Sequence, residues 1–375
     1  MINICLIGCS GNIGLQAAEI VRRFPDRFRF SALVAGRNGE TLAKLAQEFQ
    51  PDFAAVAEGD CPDLPQGTRR LRKAEILNHC FDGCDIALIA ASGFAGLAYT
   101  LRAAEHGIKI ALANKESLVC GGELVMREVE KRNVDLVPVD SEHSALFQAL
   151  MFRRDTPFHR LVLTASGGPF KNYTKEQLAS VTAKDALNHP TWNMGAKITV
   201  DSATLLNKGY EVIEAKWLYN TSFEKIEAIV HPESIVHSLV YFEDGAALAQ
   251  LGYPDMRVPI QLALTYPERL PCAPQLDLTE LGTLHFERLK TENFPCFTLA
   301  LQAGKTGGTA PTILNGAGEE AVRAFLSGSI PFIKIAETIE ESLDCVPVKK
   351  ADSYEALQEA DAFARRKASE LIYGK

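Results

Sequence analysis

Asp140 and Glu142 stand one residue apart at the end of an apolar run in LVPVDSEHSALF, and a third acid, Glu211, follows in TVDSATLLNKGYEVIEAKWL. On extended backbone, side chains at i and i+2 share a face, so the first two carboxylates would repel unless a positive charge lay between them. Three carboxylates without cysteine or histidine in ligand spacing form a hard oxygen set, which suits Mg2+ or Mn2+ and leaves coordination positions open for substrate oxygens. The structural alternative for Asp140 and Glu142 is a solvated loop, or a helix start capped by Asp140 or Ser141.

Around the third acid the residue types suit a phosphate. KITVDS reads as an apolar strand ending in Asp201 and Ser202, and the helix after it carries Asn207, Lys208 and Glu211 at i, i+1 and i+4 on one polar face. Gly209 costs that helix ~1 kcal/mol relative to alanine, which points to a close approach against its backbone. Ser166 in LTASGGPF, Ser202, Asn207 and Lys208 offer the hydroxyl, amide and ammonium donors that bind a phosphate. HPTWNMG, residues 189 to 195, is too punctuated for a core element and reads as a lid whose Trp192 and Met194 exclude water, or else as a packed surface turn. His231 and His237 in HPESIVHS lack metal spacing and read as core or loop residues.

A second constellation opens the chain. ICLIGCSGNIG sets Gly8, Gly11 and Gly14 between an apolar strand and an amphipathic helix, where glycines permit a tight turn and let amides approach a pyrophosphate at the helix N-terminus. Its GxxGxxG spacing departs from GxGxxG, and a glycine turn without a ligand is the plain alternative. The next strand ends in VAGRN, where Arg37 stands in place of a ribose-binding acid and could pair with a 2′-phosphate, so the cofactor expected is NADP(H).

The elements that must position these groups follow from the pattern. INICLIG, FRFSALVAG, DFAAVA, CDIALIAA, IKIALAN and VDLVPVD alternate with helical patterns such as NIGLQAAEIVRRF and TLAKLAQEF, which predicts a doubly wound parallel sheet covered on both faces. From about residue 160 the runs LVLTASGG, IEAIVHP and SIVHSLVYFEDGAALAQLG, the last with Asp244-Gly245 as a hairpin turn, predict an antiparallel or mixed sheet in an α+β layer. TYPERLPCAPQLD reads as a linker because of Pro267, Pro271 and Pro274. Four helical patterns follow it, and in the last Leu357, Ala360, Ala364, Ala368 and Leu371 form one stripe. The expected organisation is a Rossmann-like cofactor domain over residues 1–140, a catalytic domain over 141–264, a linker over 265–290 and a helical bundle over 291–375.

Composition bounds the rest. With 375 residues, 47% hydrophobic, the chain can bury a large core, and its formal net charge of −8 gives no general attraction to nucleic acid or anionic membranes. Its start lacks a signal-peptide pattern, no apolar run spans a bilayer, and nine scattered cysteines fit reduced thiols in a cytosol, so a cytoplasmic protein is expected.

Taken together, LIGCSGNIG, VAGRN, LANKESLV, PVDSEHSALFQ, LTASGGPF, HPTWNMGAKITVDSATLLNKGYEVIEAKWL, HPESIVHS and GYPDMRVPI resemble, in that order, the 1-deoxy-D-xylulose 5-phosphate reductoisomerase family. The resemblance implies rearrangement and NADPH-dependent reduction of 1-deoxy-D-xylulose 5-phosphate to 2-C-methyl-D-erythritol 4-phosphate, a step of the non-mevalonate isoprenoid pathway, by a homodimer that needs a divalent metal. It implies Asp140, Glu142 and Glu211 as metal ligands. It places Ser166, His189, Ser202, Asn207 and Lys208 in the phosphate and substrate shell, with Lys115 and Ser141 near the reacting oxygens; Trp192 of the lid, Glu142 and Glu211 complete the expected substrate contacts. Gly8, Ser10, Gly11, Asn12, Ile13, Gly36, Arg37, Asn38, Asn114, Glu116 and Gly195 are implied as NADPH contacts. Cys9 and Ser10 stand where the family usually has Ser and Thr, Asn12 where it has Ser, and Ala165 where Gly is common. Proton transfer falls to Lys115 or Glu142. The rivals are a plain NADP-dependent aldehyde or semialdehyde dehydrogenase and a non-catalytic NADP sensor.

Overall fold

A computed structural model of the chain describes residues 1–151, 156–192 and 194–374. The chain forms two compact units, neither contiguous in sequence. The first gathers residues 1–117, 125–144 and 255–273; the second gathers 118–124, 145–254 and the chain from Pro274 onward.

In the first unit seven strands form one parallel sheet: β1 (Ile2–Ile7), β2 (Phe28–Ala35), β3 (Phe53–Val56), β4 (Arg69–Arg70), β5 (Ile86–Ile89), β6 (Lys109–Leu112) and β7 (Leu136–Pro138). Their order is β4-β3-β2-β1-β5-β6-β7, so the winding reverses between β1 and β5. In such sheets ligands bind beyond the strand C-termini at the reversal, which is where β1 runs into the glycine turn. Ile4, Cys5, Leu6, Ala32, Leu33, Ala87, Leu88, Ile110 and Ala111 are almost wholly buried, as expected of strands covered on both faces. Helices Asn12–Arg23 and Gly39–Phe49 lie where the pattern predicts them. A late segment returns to this unit: helix Arg257–Thr265 packs on helix Asn12–Arg23 and on β6 and β7, and the Arg23 guanidinium donates to the Cys272 carbonyl (2.9 Å).

The second unit holds a mixed sheet of β8 (Arg160–Ala165), β9 (Ile226–Val230), β10 (Val236–Tyr241), β11 (Ala247–Leu251) and β12 (Glu287–Arg288), in the order β11-β10-β8-β9-β12. β8 and β9 run parallel, and the other pairs are antiparallel. The β10–β11 hairpin turns at Asp244-Gly245 with Gly245 at φ +88°, and Phe242 N–H donates to the Ala246 carbonyl. Helices Pro295–Thr306, Ala310–Leu326, Lys334–Cys345 and Tyr354–Tyr373 form the expected C-terminal bundle, with Leu357, Ala360, Ala364 and Ala368 buried along the last. The molecule is thus an α/β protein with a parallel sheet, a mixed sheet and a helical bundle.

Two local expectations are corrected. KITVDS is not a strand: residues Ala196–Ala203 form a helix. Ile198, Thr199 and Val200 carry β propensity, but the Thr199 hydroxyl donates to the Gly195 carbonyl (2.8 Å), Lys197 pairs with Asp201 at i+4 (2.7 Å), and the helix packs on helix Ala310–Leu326. Nor are Asp140 and Glu142 on extended backbone, because helix Ser141–Ala149 begins directly after Asp140 and contains Glu142. Ser144 N–H donates to the Asp140 carbonyl (2.8 Å), which sets Asp140 at the helix start that was the structural alternative.

Candidate active site

The glycine turn after β1 is sterically committed. Gly8 has φ +89°, and a Cβ there would stand 2.4 Å from the Ala90 carbonyl oxygen; one on Gly14 would stand 2.5 Å from that of Gly8. Both positions therefore exclude a side chain, which brings the first turn of helix Asn12–Arg23 against the strand end. Gly11 and Asn12 are exposed, and Ser10 and Ile13 are half-buried, so the cradle's outer face is open.

Gly36, Arg37 and Asn38 follow β2 and are all exposed. Arg37 is 82% exposed and pairs with Glu58 at 2.6 Å, while the Asn38 side chain caps helix Gly39–Phe49 by accepting from Thr41 N–H (3.0 Å). Asn114 and Glu116 are buried and interlocked. The Asn114 amide donates to Glu116 Oε2 (2.8 Å) and to the Ala91 (2.9 Å) and Gly93 (3.0 Å) carbonyls, and Gly93 N–H donates to Glu116 Oε1 (3.0 Å). Both thus brace the loop after β5, the flank of the winding reversal.

Between them, Lys115 is 7% exposed and its Nζ lies 2.8 Å from Asp140 Oδ2. His143 Nδ1, on a fully buried ring, lies 3.5 Å from the same oxygen. Burial pushes the Asp140 carboxyl up, but the Lys115 charge and the His143 contact outweigh it and hold the group well below the ordinary carboxylate range. The Ser141 hydroxyl donates to Glu142. Asp140 is thereby kept ionised, and the counter-charge the sequence demanded is supplied within this unit by an ammonium.

In the second unit the structure brings together Ser166, His189 and Ser202. His189 Nε2 lies 3.1 Å from Ser166 Oγ and 3.2 Å from Ser202 Oγ, and its Nδ1 accepts from the N–H groups of Thr191 (3.3 Å) and Trp192 (3.0 Å). An Nδ1 that accepts two amides leaves the ring proton on Nε2, and burial pushes the His189 pKa below its ordinary value. His189 is a neutral donor here; its Nδ1 is taken up by two backbone amides rather than oriented by a carboxylate, so it is not arranged as the base of a serine nucleophile. Gly167 (φ +86°) and Gly168 (φ +67°) turn the chain tightly behind Ser166. Trp192 is half-buried with its ring 6.0 Å from that of His237, and Gly195 caps helix Ala196–Ala203; Asn193 of the expected lid lies outside the described residues.

Helix Leu206–Leu218 carries the rest of the polar set. The Asn207 amide donates to Glu211 Oε1 (2.6 Å), and the buried Lys208 ammonium donates both to Glu211 and to the Thr164 carbonyl at the end of β8. Glu211 is 1% exposed. Gly209 faces no ligand: a Cβ there would stand 2.4 Å from Ala300 Cβ, so its close approach is to helix Pro295–Thr306.

Comparison with known proteins decides the kinship. Family models match residues 4–122 (1-deoxy-D-xylulose 5-phosphate reductoisomerase), 136–219 (its C-terminal domain) and 251–367 (DXP reductoisomerase C-terminal domain). A 1-deoxy-D-xylulose 5-phosphate reductoisomerase of a Geobacillus species is 47% identical over 378 residues, covering 98% of this chain and 99% of its own length. This chain belongs to the 1-deoxy-D-xylulose 5-phosphate reductoisomerase family. The Bacillus subtilis reductoisomerase is 45% identical over 387 residues, covering 99% of this chain and 100% of its own. The Zymomonas mobilis reductoisomerase solved with NADPH superposes with a TM-score of 0.90 at 38% identity, and a reductoisomerase solved with NADPH, fosmidomycin and magnesium with 0.91 at 35%, each over 100% of both chains.

Against these reductoisomerase motifs, the sequence reading passed over two residues and one pairing. His143 follows Asp140 by one helical turn, a spacing that signals a neighbour once the helix is known. Glu214, fully buried one turn beyond Glu211, gave only the E-x-x-E spacing. The Lys115–Asp140 pair joins residues 25 apart in sequence on neighbouring strands' ends, so it had no local signal.

Proposed function

We propose that the chain catalyses the rearrangement and NADPH-dependent reduction of 1-deoxy-D-xylulose 5-phosphate to 2-C-methyl-D-erythritol 4-phosphate with a divalent cation. One observation carries the reading: the half-buried Asp140 and the buried Glu211 are each ion-paired with a buried lysine ammonium. A plain hydride-transfer enzyme or a cofactor sensor has no use for two such acids, whereas a rearrangement that develops charge on neighbouring oxygens has.

The donors fit the groups the family binds. Asp140, Glu142 and Glu211 offer carboxylate oxygens alone, the chemistry of a Mg2+ or Mn2+ site, and Asp140 is already held ionised by its surroundings. We assign these three as the ligands. The cation, when bound there, supplies Lewis-acid charge opposite the substrate's ketone and hydroxyl oxygens. Lys115 Nζ keeps Asp140 oriented and offers a proton beside the reacting oxygens, and Ser141 orients Glu142 by its hydroxyl bond.

For the substrate phosphate we assign Ser166, Ser202, Asn207, Lys208 and the Nε2–H of His189. A neutral imidazole donates to a phosphate oxygen without changing its charge state, so affinity does not hinge on protonating a half-buried ring. Trp192 and the rest of residues 189–195 would exclude water, so that fragments of the carbon skeleton stay in place for recombination. Ser10, Gly11, Asn12 and Ile13 would face a pyrophosphate with backbone amides, Gly8 and Gly14 making room, and NADPH when bound supplies the hydride. Arg37 takes the 2′-phosphate, with Gly36 and Asn38 beside it. Asn114 and Glu116 shape the loop below the nicotinamide end, and Gly195 completes the cofactor contacts.

The same reading gives residues 1–140 the cofactor, 141–264 the metal and substrate, and 291–375 a supporting bundle, in a cytoplasmic homodimer. Among the described residues no helix is long and apolar enough to cross a membrane. The test is product formation from the ketose phosphate and NADPH in EDTA-treated protein, before and after Mn2+. Product in both samples would defeat the metal assignment; none in either would defeat the activity.

A further inference from the structure

The C-terminal helix Tyr354–Tyr373 lies outside every motif used so far, yet it sends one arginine into a cluster of acids in the second unit. Arg365 Nε donates to Asp361 Oδ2 (2.7 Å), and Nη2 donates to Asp361 Oδ1 (3.0 Å) and to Glu319 Oε2 (2.8 Å). Nη1 reaches Glu320 Oε1 at 3.3 Å. Glu319 sits in helix Ala310–Leu326 and is also bonded through Oε1 by the Asn315 amide (2.9 Å).

The cluster continues toward the phosphate donors. Helix Ala310–Leu326 packs against helix Ala196–Ala203, which starts at the lid's last residue, Gly195, and bears Ser202. The packing of these two helices sets Glu319 and Lys197 on facing elements, and the Lys197 charge, followed by that of Arg365, holds the Glu319 carboxyl below its ordinary value against the effect of burial. Lys197 Nζ in turn donates to Asp201 Oδ2 (2.7 Å), and Asp201, 2% exposed, is the residue before Ser202.

A lysine that serves only an i,i+4 pair on a helix surface contributes a few tenths of a kcal/mol. Here the partner acid is buried, and the lysine is also drawn to a second carboxylate fixed from behind by a forked guanidinium. Such a fork holds its acids in one geometry, which a lysine at the same place could not do. Removing the fork takes away the guanidinium that fixes Glu319 from behind and so loosens the point against which Lys197 is set.

We propose that Glu319 and Arg365 are positioning residues for the substrate: through Lys197 and Asp201 they fix helix Ala196–Ala203, and with it the Ser202 hydroxyl and the trailing end of the 189–195 lid. The inference rests on the assignment of Ser202 to the substrate phosphate. It gives the C-terminal helix a role in binding 1-deoxy-D-xylulose 5-phosphate that the family motifs do not mark. The network reaches the cofactor contacts only through the backbone of Gly195, whereas it ends directly beside Ser202, so its loss acts mainly on the ketose phosphate.

Steady-state kinetics on the full-length, Mn2+-loaded enzyme test it with Glu319→Gln, Lys197→Met, the double variant and Arg365→Lys. For Glu319→Gln the expected result is a KM for the ketose phosphate raised about tenfold, kcat within about twofold, and a KM for NADPH changed by no more than about threefold. The double variant should cost no more than the worse single one, because both remove the same tether. Arg365→Lys, which keeps the charge and loses the fork, should lie between wild type and Glu319→Gln; it decides the matter if Glu319→Gln does not fold. Equal changes in both KM values, additive single effects, or an Arg365→Lys enzyme identical to wild type would overturn the proposal. Wild-type enzyme without turnover would instead defeat the functional reading itself.

Discussion

The Lys115 ammonium lies 2.8 Å from Asp140 Oδ2, both side chains nearly shut off from water. A buried carboxylate that loses its cation is left uncompensated, and breaking one side of such a pair typically costs about 3–5 kcal/mol. Lys115→Met should therefore lower stability by an amount of that order in urea unfolding, while Asp140→Asn combined with it should recover much of the loss. A double variant as unstable as Lys115→Met would show that the pair is not what the lysine sustains.

Glu211→Gln should leave the Lys208 bonds partly in place, since the amide oxygen still accepts, but remove the negative charge a divalent cation needs. Turnover is expected to fall at least about a hundredfold, the metal-dependent loss expected when a ligand changes. NADPH affinity, read by fluorescence titration, should stay within about twofold. A parallel loss of NADPH affinity would reassign Glu211 to the frame of the protein.

Arg37 extends into solvent beside Glu58, so replacing it disturbs no packing. Arg37→Asp should weaken NADPH by roughly tenfold or more, about 1.4 kcal/mol, and leave NADH unchanged or better bound. An unaltered ratio of the two kcat/KM values would remove Arg37 from the cofactor site.

Gly209→Ala sets two effects against each other. Alanine improves helix propensity by ~1 kcal/mol, but its methyl would stand 2.4 Å from Ala300 Cβ, and overpacking of that kind costs about 1–3 kcal/mol. The steric effect is expected to win, giving a lower urea midpoint. Pairing it with Ala300→Gly should restore the midpoint.

His189 is held neutral by burial and by two amides aimed at Nδ1. Its folded pKa lies below its unfolded one, so its contribution to stability is full above the unfolded value, about 6.5, and is lost as pH falls below it. Unfolding free energy of the wild type should drop more steeply than that of His189→Asn as pH falls below about 6.5. Parallel pH profiles would mean the ring titrates normally.

The sequence by itself determined the parallel sheet, because fully buried strands must be continuous apolar runs and INICLIG, FRFSALVAG and CDIALIAA are such runs. It also determined the glycine turn, the β10–β11 hairpin and the chemical character of the acids, since each depends on residue types adjacent in the chain. The C-terminal stripe from Leu357 to Ala368 was legible for the same reason. Tertiary structure decided whatever depends on partners remote in sequence. KITVDS became a helix because helix Ala310–Leu326 offers it a packing surface, which outweighs the preference of Ile198, Thr199 and Val200 for strand. Lys115 proved to pair with Asp140, the neighbour of Gly209 turned out to be Ala300, and residues 255–273 joined the cofactor unit. None of these has a local signal, because a contact between distant segments is selected by the free energy of the whole packed core and leaves no period or spacing in the chain.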